Sequence, residues 1–235
     1  MPGICPDWPA PGNVHAWSTF RTGGVSEAPY DQLNLADHVG DDKYAVSRNR
    51  QLLKQSLALP SEPCWLEQVH GIDVIEASTA MENSVADGSF TSKPGCVCVV
   101  MTADCLPVLL CNKQGTVIAA VHAGWRGLLQ GVIPAAVEKL QIQNDQILAW
   151  LGPAIGPQSF EVGREVKEAF MDADVNNGGV FRPSTAGHFV ANLYQLAELQ
   201  LKRLGIKNVY GQKGCTYQDK SHYFSYRRDG VTGRM

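Results

Sequence analysis

The chain has 235 residues, 44% of them hydrophobic, and carries 20 basic and 23 acidic side chains, for a formal net charge of −3. These values predict a globular protein with a substantial core, organised as one large domain or two small ones. They predict no nucleic-acid or membrane-binding surface, because no block of like charge stands out. The amino terminus does not read as a secretory signal, no apolar run is long enough to span a membrane, and seven irregularly spaced cysteines indicate reduced thiols and a cytoplasmic location.

Hydrophobic periodicity and turn residues predict a mixture of helices, strands and hairpins. In chain order, we expect a helix at 43–57, strands at 65–70 and 74–75, a turn at Asp87-Gly88, a buried strand at 95–101, a hairpin at 101–122, a helix at 128–140 that Pro134 kinks, a strand at 147–151, helices at 162–171 and 193–204, and a short strand at 208–210. Asn192 is the expected N-cap of the last helix and Gly205 its stop. This mixture favours α+β packing over a purely parallel sheet.

The hairpin brings two reactive side chains together. Two apolar runs flank a short Asn/Gly turn at residues 112–115. If Cys111 and Thr116 pair across the turn, then Cys105 and His122 lie directly opposite each other, with Cβ atoms roughly 4.5–5.5 Å apart. A one-residue slip would break this pairing, and Pro107 argues against an undisturbed ladder.

His70, Cys105 and His122 are the candidate metal ligands. Each follows or ends an apolar strand, and two imidazoles with one thiolate suit Zn²⁺ with a fourth position open to water or substrate. Asp104 or Glu67 is expected to orient one of these ligands through a hydrogen bond, without binding the metal itself. The alternative is structural: a buried cysteine is common as a small hydrophobe, and a histidine at a strand end often bonds only to the backbone.

Arg126 and Arg228 are the candidate anion-binding residues. Arg126 lies in the glycine-rich segment 122–127, where a helix amino terminus and a guanidinium together suit phosphate or carboxylate. Arg228 lies in Ser225-Tyr-Arg-Arg-Asp-Gly230. The alternatives are a tight turn with a solvated arginine, and an exposed loop in which Arg228 pairs with Asp229 to little effect.

Several longer motifs occur in a fixed order along the chain. They are Gly23-Gly-Val-Ser26, Asn34-Leu35, His38-Val-Gly-Asp41, Gln68-Val-His-Gly71, Ala86-Asp-Gly88, Thr102-Ala-Asp-Cys-Leu-Pro107, Ala120-Val-His-Ala-Gly-Trp-Arg-Gly127, Gly152-Pro-Ala-Ile-Gly156 and Ser225-Tyr-Arg-Arg-Asp-Gly230. In these motifs the chain resembles the laccase-domain family, also called polyphenol oxidase-like proteins or peptidoglycan editing factors. The resemblance spans nearly the whole chain and implies a single catalytic domain over residues 1–235, although members usually continue into a final apolar strand after the position of Met235.

The resemblance implies a zinc site at His70, Cys105 and His122 and a monomer that acts on purine nucleosides. The implied reactions are phosphorolysis of adenosine, inosine, guanosine or methylthioadenosine, deamination of adenosine, and in bacterial members the editing of muropeptide precursors. Copper-dependent oxidation of phenols is the older activity attributed to the family. The implied fold is an α-β-β-α layered sandwich with mixed sheets, as in the catalytic domain of cytotoxic necrotizing factors.

The residues and the resemblance together leave three functions open, the first of which is what the resemblance implies. The first is a zinc-dependent purine nucleoside phosphorylase and adenosine deaminase, with Arg126, Arg228 and Asn34 binding the substrate. The second is a metal-free amide hydrolase in which Cys105 is the nucleophile and His122 its base. The third is a copper-dependent polyphenol oxidase, since two histidines and one cysteine also suit a single Cu²⁺ ion. A multicopper cluster is disfavoured, because only four other histidines remain in the chain.

Overall fold

The computed structural model describes residues 1–185, 187–211 and 214–235. Its strands are β1 Gly3–Ile4, β2 Ser18–Thr19, β3 Leu66–Glu67, β4 Val74–Glu76, β5 Ser84–Val85, β6 Gly88–Thr91, β7 Leu106–Asn112, β8 Ile118–Ala123, β9 Ile147–Leu151, β10 Glu161–Gly163, β11 Phe181–Pro183, β12 His188–Ala191 and β13 Asn208–Gly211. Its α-helices are α1 Lys43–Ser56, α2 Trp125–Gln130, α3 Val132–Leu140, α4 Arg164–Ala173, α5 Leu193–Arg203 and α6 Tyr226–Asp229, with 3₁₀ turns at Asn144–Gln146 and Val175–Val180.

A mixed six-stranded sheet with the order β13-β9-β7-β8-β6-β4 is the centre of the fold. Its two outer pairs, β13-β9 and β4-β6, are parallel, and the pairs between them are antiparallel. There are three smaller sheets: a three-stranded sheet with the order β10-β12-β11, and two-stranded sheets formed by β1 with β2 and by β3 with β5. The expectation of helices with mixed sheets is confirmed, whereas the four-layer sandwich and the likeness to the cytotoxic necrotizing factor fold stay predictions.

The helices α2 to α5 share one core with the central sheet. Leu106, Val108 and Leu110 alternate along β7 and pack in this core with Ile133 and Ala136 of α3. Alternation places the intervening residues of β7 on the other face of the sheet. β9 is buried at every position, as expected for an apolar strand inside a sheet. Among the described residues, no helix is long and apolar enough to cross a membrane.

The β7–β8 hairpin forms, but its register differs from the prediction by two residues. Cys111 pairs with Ile118, and His122 lies opposite Pro107, so Cys105 lies beyond the end of the ladder rather than directly across from His122. A shift of two residues keeps every side chain on its predicted face, whereas a shift of one would have reversed it. Cys105 and His122 therefore still project from the same face.

Two other predictions in the first half of the chain are wrong. Asp87-Gly88 is not a turn: both residues are buried, and Gly88 begins β6. Residues 95–101 are not a strand, since their pairing is limited to an isolated bridge between Cys64 and Cys98. At the end of this segment the backbone bonds to a side chain instead of a strand: Met101 N–H donates to Gln68 Oε1.

The predicted helix at 128–140 is two helices. The chain turns into α2 at Trp125, three residues early, and breaks at Gly131, whose φ of 97° ends one helix and starts the next. Pro134 causes no break, because it lies in the first turn of α3, where its missing N–H costs no hydrogen bond. The helix expected at 162–171 runs over Arg164–Ala173 behind the short strand β10.

The helix α5 begins and ends where the sequence indicates. The Asn192 side chain accepts a hydrogen bond from Gln195 N–H as the N-cap, and Gly205 follows the helix with a φ of 79°. α1 is also confirmed to within one residue, with Asp42 as a further N-cap whose carboxylate accepts from two backbone N–H groups. Apolar spacing was sufficient to position α1, and capping chemistry to position α5.

Candidate metal centre

His70, Cys105 and His122 converge on one point. Cys105 Sγ lies 3.8 Å from His70 Nε2, and one donor atom from each of the three residues lies within 4.8 Å of the others. Over the described ranges, this is the only group of three or more His, Cys, Asp or Glu side chains so close together. His122 is buried, Cys105 is half-buried and His70 is exposed, so the group is open to solvent on the His70 side.

Asp87 holds two of these three residues in place. Its buried carboxylate accepts a hydrogen bond from His122 Nδ1 at 2.8 Å. The same carboxylate accepts the backbone N–H groups of Val69, His70 and Gly71 at 3.2, 2.9 and 2.6 Å. With Nδ1 bound to Asp87, the Nε2 atom of His122 is left as the donor that faces the group. Of the two predicted supports, Glu67 is exposed, and Asp104 makes no bond to either imidazole but anchors the peptide that leads to Cys105.

Two of the residues at the site have left-handed backbones, which only glycine adopts without cost. His70 has a φ of 61°, and Asp104, which precedes Cys105, has a φ of 90°. Such conformations persist where surrounding bonds impose them and are common at functional sites. At His70 the bonds come from Asp87, so one carboxylate fixes both the backbone of the first ligand and the imidazole of the third.

Asp104 is anchored by a separate set of bonds. Its carboxylate accepts from Thr216 Oγ1 at 2.6 Å, Ser225 Oγ at 3.0 Å and Arg227 N–H at 2.7 Å. Its carbonyl accepts the N–H of Ile155 at 2.9 Å. These partners come from distant parts of the chain and fix the peptide that carries Cys105, so Asp104 positions the thiol without touching the other ligands.

Gly124 leaves the space that the ligands occupy. A Cβ atom at this position would lie 3.0 Å from His70 Cδ2 and 3.1 Å from Cys105 Sγ. The φ of Gly124 is −69°, which any residue can adopt, so glycine is needed here for space and not for its backbone freedom.

Cys105, His122 and Asp87 shift one another's pKa values. Burial raises the pKa of the Cys105 thiol, but the charge of His122 and hydrogen bonds from both imidazoles outweigh it and lower the pKa overall. Burial likewise lowers the pKa of His122, and the Cys105 thiolate and Asp87 raise it overall. Burial raises the pKa of Asp87, but hydrogen bonds from His122, Gly71 and His70 hold it below its usual range. The site therefore favours a thiolate and an ionised aspartate.

Arg228 and Asn34, two of the predicted substrate-binding residues, are occupied with structural bonds. Arg228 donates to both carboxylate oxygens of Asp229 and to three backbone carbonyls, which uses all five of its N–H donors. Asn34 is completely buried. Its amide bonds to Ala36, to the Asp41 carboxylate and to the N–H of Arg234. Neither side chain has a donor left for a substrate anion.

Arg126 remains available. It is exposed, and its guanidinium carbon lies 4.5 Å from the centroid of the Trp125 ring. Within the described residues it makes no hydrogen bond or ion pair. Arg126 is two residues after Gly124, which borders both His70 and Cys105, so its prediction as a substrate-binding residue stands as a prediction.

Sequence reasoning missed the role of Asp87 and did not consider Gly124 individually. A signal for Asp87 was present, since Ala86-Asp-Gly88 is one of the motifs that carry the family resemblance. A carboxylate is seldom buried without paired donors, so its burial points to a structured site. The crowding at Gly124 depends on the positions of His70 and Cys105 and has no local signal.

A large apolar cavity lies apart from the three ligands. Its volume is about 610 Å³, and its walls come from the amino-terminal segment, Leu53 of α1, the sheet residues Leu109 and Ile118, and Trp150. None of the three ligands lines this cavity. The cavity and the three-residue group are therefore separate features of the molecule.

Comparisons with known proteins define the family. Residues 15–235 match the family described as multi-copper polyphenol oxidoreductase laccase, and the chain belongs to this family. A purine nucleoside phosphorylase YfiH of Escherichia coli K12 is 50% identical over 99% of this chain and 96% of its own length. A purine nucleoside phosphorylase of Pseudomonas aeruginosa is 49% identical over 99% of this chain and 95% of its own.

Solved structures show the same fold. A Neisseria meningitidis protein, NMB0706, superposes with a TM-score of 0.97 at 44% identity, covering 100% of this chain and 97% of that one. YlmD from Geobacillus stearothermophilus has a TM-score of 0.85 at 28% identity and covers 99% and 97% of the two chains.

Proposed function

We propose that this protein is a zinc-dependent purine nucleoside phosphorylase whose metal is held by His70, Cys105 and His122. The observation that carries the proposal is the convergence of these three donors, braced by Asp87, in a chain about half identical to proteins named purine nucleoside phosphorylases. The substrates are then a purine nucleoside and inorganic phosphate.

The donor set fits zinc. A tetrahedral zinc ion with Zn–S of about 2.3 Å and Zn–N of about 2.0–2.1 Å places its ligand atoms roughly 3.3–3.6 Å apart. The observed separation of 3.8 Å between Cys105 and His70 needs only a small side-chain rotation to reach this range. The hydrogen bond from His122 to Asp87 is the usual support for a metal-bound imidazole, because it fixes the ring and makes it more basic.

Copper is the metal that the family's description names, and a multicopper site needs more ligands than this one has. In the described parts of the chain, the only group of this kind holds three donors. A single Cu²⁺ ion could use two histidines and one cysteine, but the relatives named above are phosphorylases and not oxidases. These two observations favour zinc and phosphorolysis.

Phosphorolysis exchanges the bond between the base and the sugar. A phosphate oxygen bonds to C1′ as the bond from C1′ to the purine nitrogen breaks, and the base leaves with a proton, so inosine and phosphate yield hypoxanthine and ribose 1-phosphate. When bound, zinc would supply a Lewis acid at the exposed side of the group. The chain's own contribution is to hold the ligands in place through Asp87 and Asp104 and to offer Arg126 to a substrate anion.

Adenosine deamination and the editing of muropeptide precursors are further activities that we propose to test on the same site. Deamination replaces the amino group at C6 of adenine by oxygen from water and releases ammonia. Its product from adenosine is inosine, which forms without phosphate. The two reactions can therefore be separated by leaving phosphate out of the assay.

A metal-free cysteine hydrolase is the second candidate. One observation favours it. In space, the His122 imidazole lies between the Asp87 carboxylate and the Cys105 thiol, and an acid, an imidazole and a thiol in this arrangement activate a nucleophilic cysteine. In this case Cys105 would attack an amide carbonyl, with His122 as its base, and His70 would have no chemical role. Zinc that remains bound after dialysis at one ion per chain would contradict this alternative.

The test measures hypoxanthine released from inosine by zinc-loaded protein, with and without inorganic phosphate. We expect release that depends on phosphate and that is lost in the variant His70→Asn, since asparagine tolerates a left-handed backbone but removes the imidazole. The matched control is His15→Ala, at an exposed histidine away from the ligands, which should keep wild-type activity. Release independent of phosphate in fully loaded protein would overturn the proposal.

A further inference from the structure

Arg234 lies beside the segment that leads to Cys105. Met235 and Thr102 exchange two backbone hydrogen bonds, of 3.0 and 3.1 Å, which place residue 234 next to residues 102–105. On its other side, Arg234 donates its backbone N–H to Asn34 Oδ1 at 2.9 Å and accepts the N–H of Leu35 at 3.0 Å. The backbone of Arg234 is therefore fixed between two buried segments.

The guanidinium of Arg234 is only partly engaged. Its Nη1 donates to the carbonyls of Thr232 and Gly233 at 2.9 and 3.0 Å, which folds the side chain back over its own backbone. Its Nε and Nη2 atoms make no hydrogen bond within the described residues, and neither is buried without a partner. Arg228 is the opposite case, since all of its donors are in use.

The guanidinium of Arg234 lies near the segment that carries Cys105. Its central carbon is 5.7 Å from the centroid of the Tyr226 ring. The residue after Tyr226, Arg227, donates its backbone N–H at 2.7 Å to the carboxylate of Asp104, which precedes Cys105. Burial lowers the pKa of Arg234 overall, and the negative charges of Cys105 and Asp104 offset part of this shift.

We propose that Arg234 binds the inorganic phosphate co-substrate beside the His70–Cys105–His122 group, through its free Nε and Nη2 donors. The inference rests on the proposed phosphorolysis and deepens it by assigning the phosphate. Two parallel N–H donors match two oxygens of a phosphate, and the rigid plane of a guanidinium loses little freedom on binding. Asn34 acts through Arg234 as a positioning residue, because its side chain fixes the backbone from which the guanidinium extends.

The first measurement is the KM for phosphate at saturating inosine. In Arg234→Met we expect the KM to rise roughly ten- to hundredfold, the effect of losing charged hydrogen bonds, and in Arg234→Lys we expect a smaller rise. The control is Arg182→Met, at an exposed arginine on β11, which should leave the KM unchanged. An unchanged phosphate KM in folded Arg234→Met overturns the assignment.

The second measurement needs no variant and covers the case in which Arg234→Met does not fold. Phenylglyoxal modifies accessible arginines in the wild-type, zinc-loaded protein, and mass spectrometry reports the rate at Arg234 and Arg182. Inorganic phosphate should slow modification at Arg234 only, and equal rates with and without phosphate would overturn the assignment. Should hypoxanthine release prove independent of phosphate, protection at Arg234 would still support an anion site, so the two proposals fail separately.

Discussion

The Asp87 carboxylate and the His122 imidazole are joined by a buried hydrogen bond of 2.8 Å between residues 35 positions apart. Because the same carboxylate also holds the backbone N–H groups of residues 69–71, the imidazole of His122 and the backbone of His70 are fixed relative to each other. A change at Asp87 should therefore affect two metal ligands at once.

Asp87→Asn should weaken zinc binding. The amide keeps the shape of the side chain but can no longer accept four N–H groups, so His122 loses its orientation and His70 its support. We expect zinc affinity to fall by roughly ten- to hundredfold, as for other supporting residues behind a metal ligand. Competition with a chelator measures it, and Asp73→Asn, at an exposed aspartate nearby, is the matched control. Unchanged affinity would show that Asp87 serves the fold alone.

Gly124→Ala should disturb the site while the fold tolerates it. The added methyl group would lie 3.0 and 3.1 Å from atoms of His70 and Cys105, and the backbone angles suit alanine. Overpacking of this kind costs roughly 1–3 kcal/mol, about ten- to hundredfold in zinc affinity. Gly179→Ala, which adds a methyl group in open space, should have no such effect. Thermal unfolding of both metal-free variants checks that the fold is kept.

Thr216→Val should destabilise the protein through Asp104. Thr216 is completely buried and donates to the Asp104 carboxylate at 2.6 Å, and valine has nearly the same shape without the donor. We expect a loss of about 1–3 kcal/mol in the free energy of unfolding, measured by urea denaturation. Thr216→Ser keeps the hydroxyl and should recover most of the loss. Equal stabilities of the valine and serine variants would contradict the role given to this hydrogen bond.

Arg228→Met should lower stability and leave phosphate binding unchanged. The Arg228 side chain is 14% exposed, and its removal leaves Asp229 and three carbonyls without their donor. We expect the free energy of unfolding to fall by roughly 2–4 kcal/mol. The KM for phosphate of the folded enzyme should stay at the wild-type value. A large rise in that KM would contradict this prediction and support Arg228 as a substrate-binding residue.

Alkylation of metal-free protein by iodoacetamide should select Cys105. Its pKa is lowered, so the reactive thiolate is present at neutral pH and is lost only as the pH falls below that lowered pKa. Burial raises the pKa of Cys98 to about 12 and that of Cys111 to about 11, so these thiols should react only as the pH rises towards those values. Peptide mapping at pH 7 measures the order, and zinc should protect Cys105. Earlier labelling of Cys98 or Cys111 would contradict the electrostatics described here.

The sequence by itself determined what depends on local chemistry. Apolar periodicity and caps predicted α1 and α5, an unbroken apolar run predicted β9, and the hairpin turn brought Cys105 and His122 to the same face. Residue type and strand position made His70, Cys105 and His122 candidate ligands, and the family resemblance turned these candidates into a prediction. Even the register error of two residues kept that face, since side chains alternate along a strand with a period of two.

Only the tertiary structure decided what depends on distant partners. Asp87 was predicted to lie in a turn, yet it is buried because N–H groups from residues 69–71 and the His122 ring satisfy its charge. Arg228 and Asn34 have the residue types of substrate ligands, but neighbours that the sequence does not reveal use their donors. Arg234 comes to the site only through its own bonds to residues 34–35 and the pairing of Met235 with Thr102. A buried polar group is stabilised by its full set of partners, and that set exists only once the chain has folded.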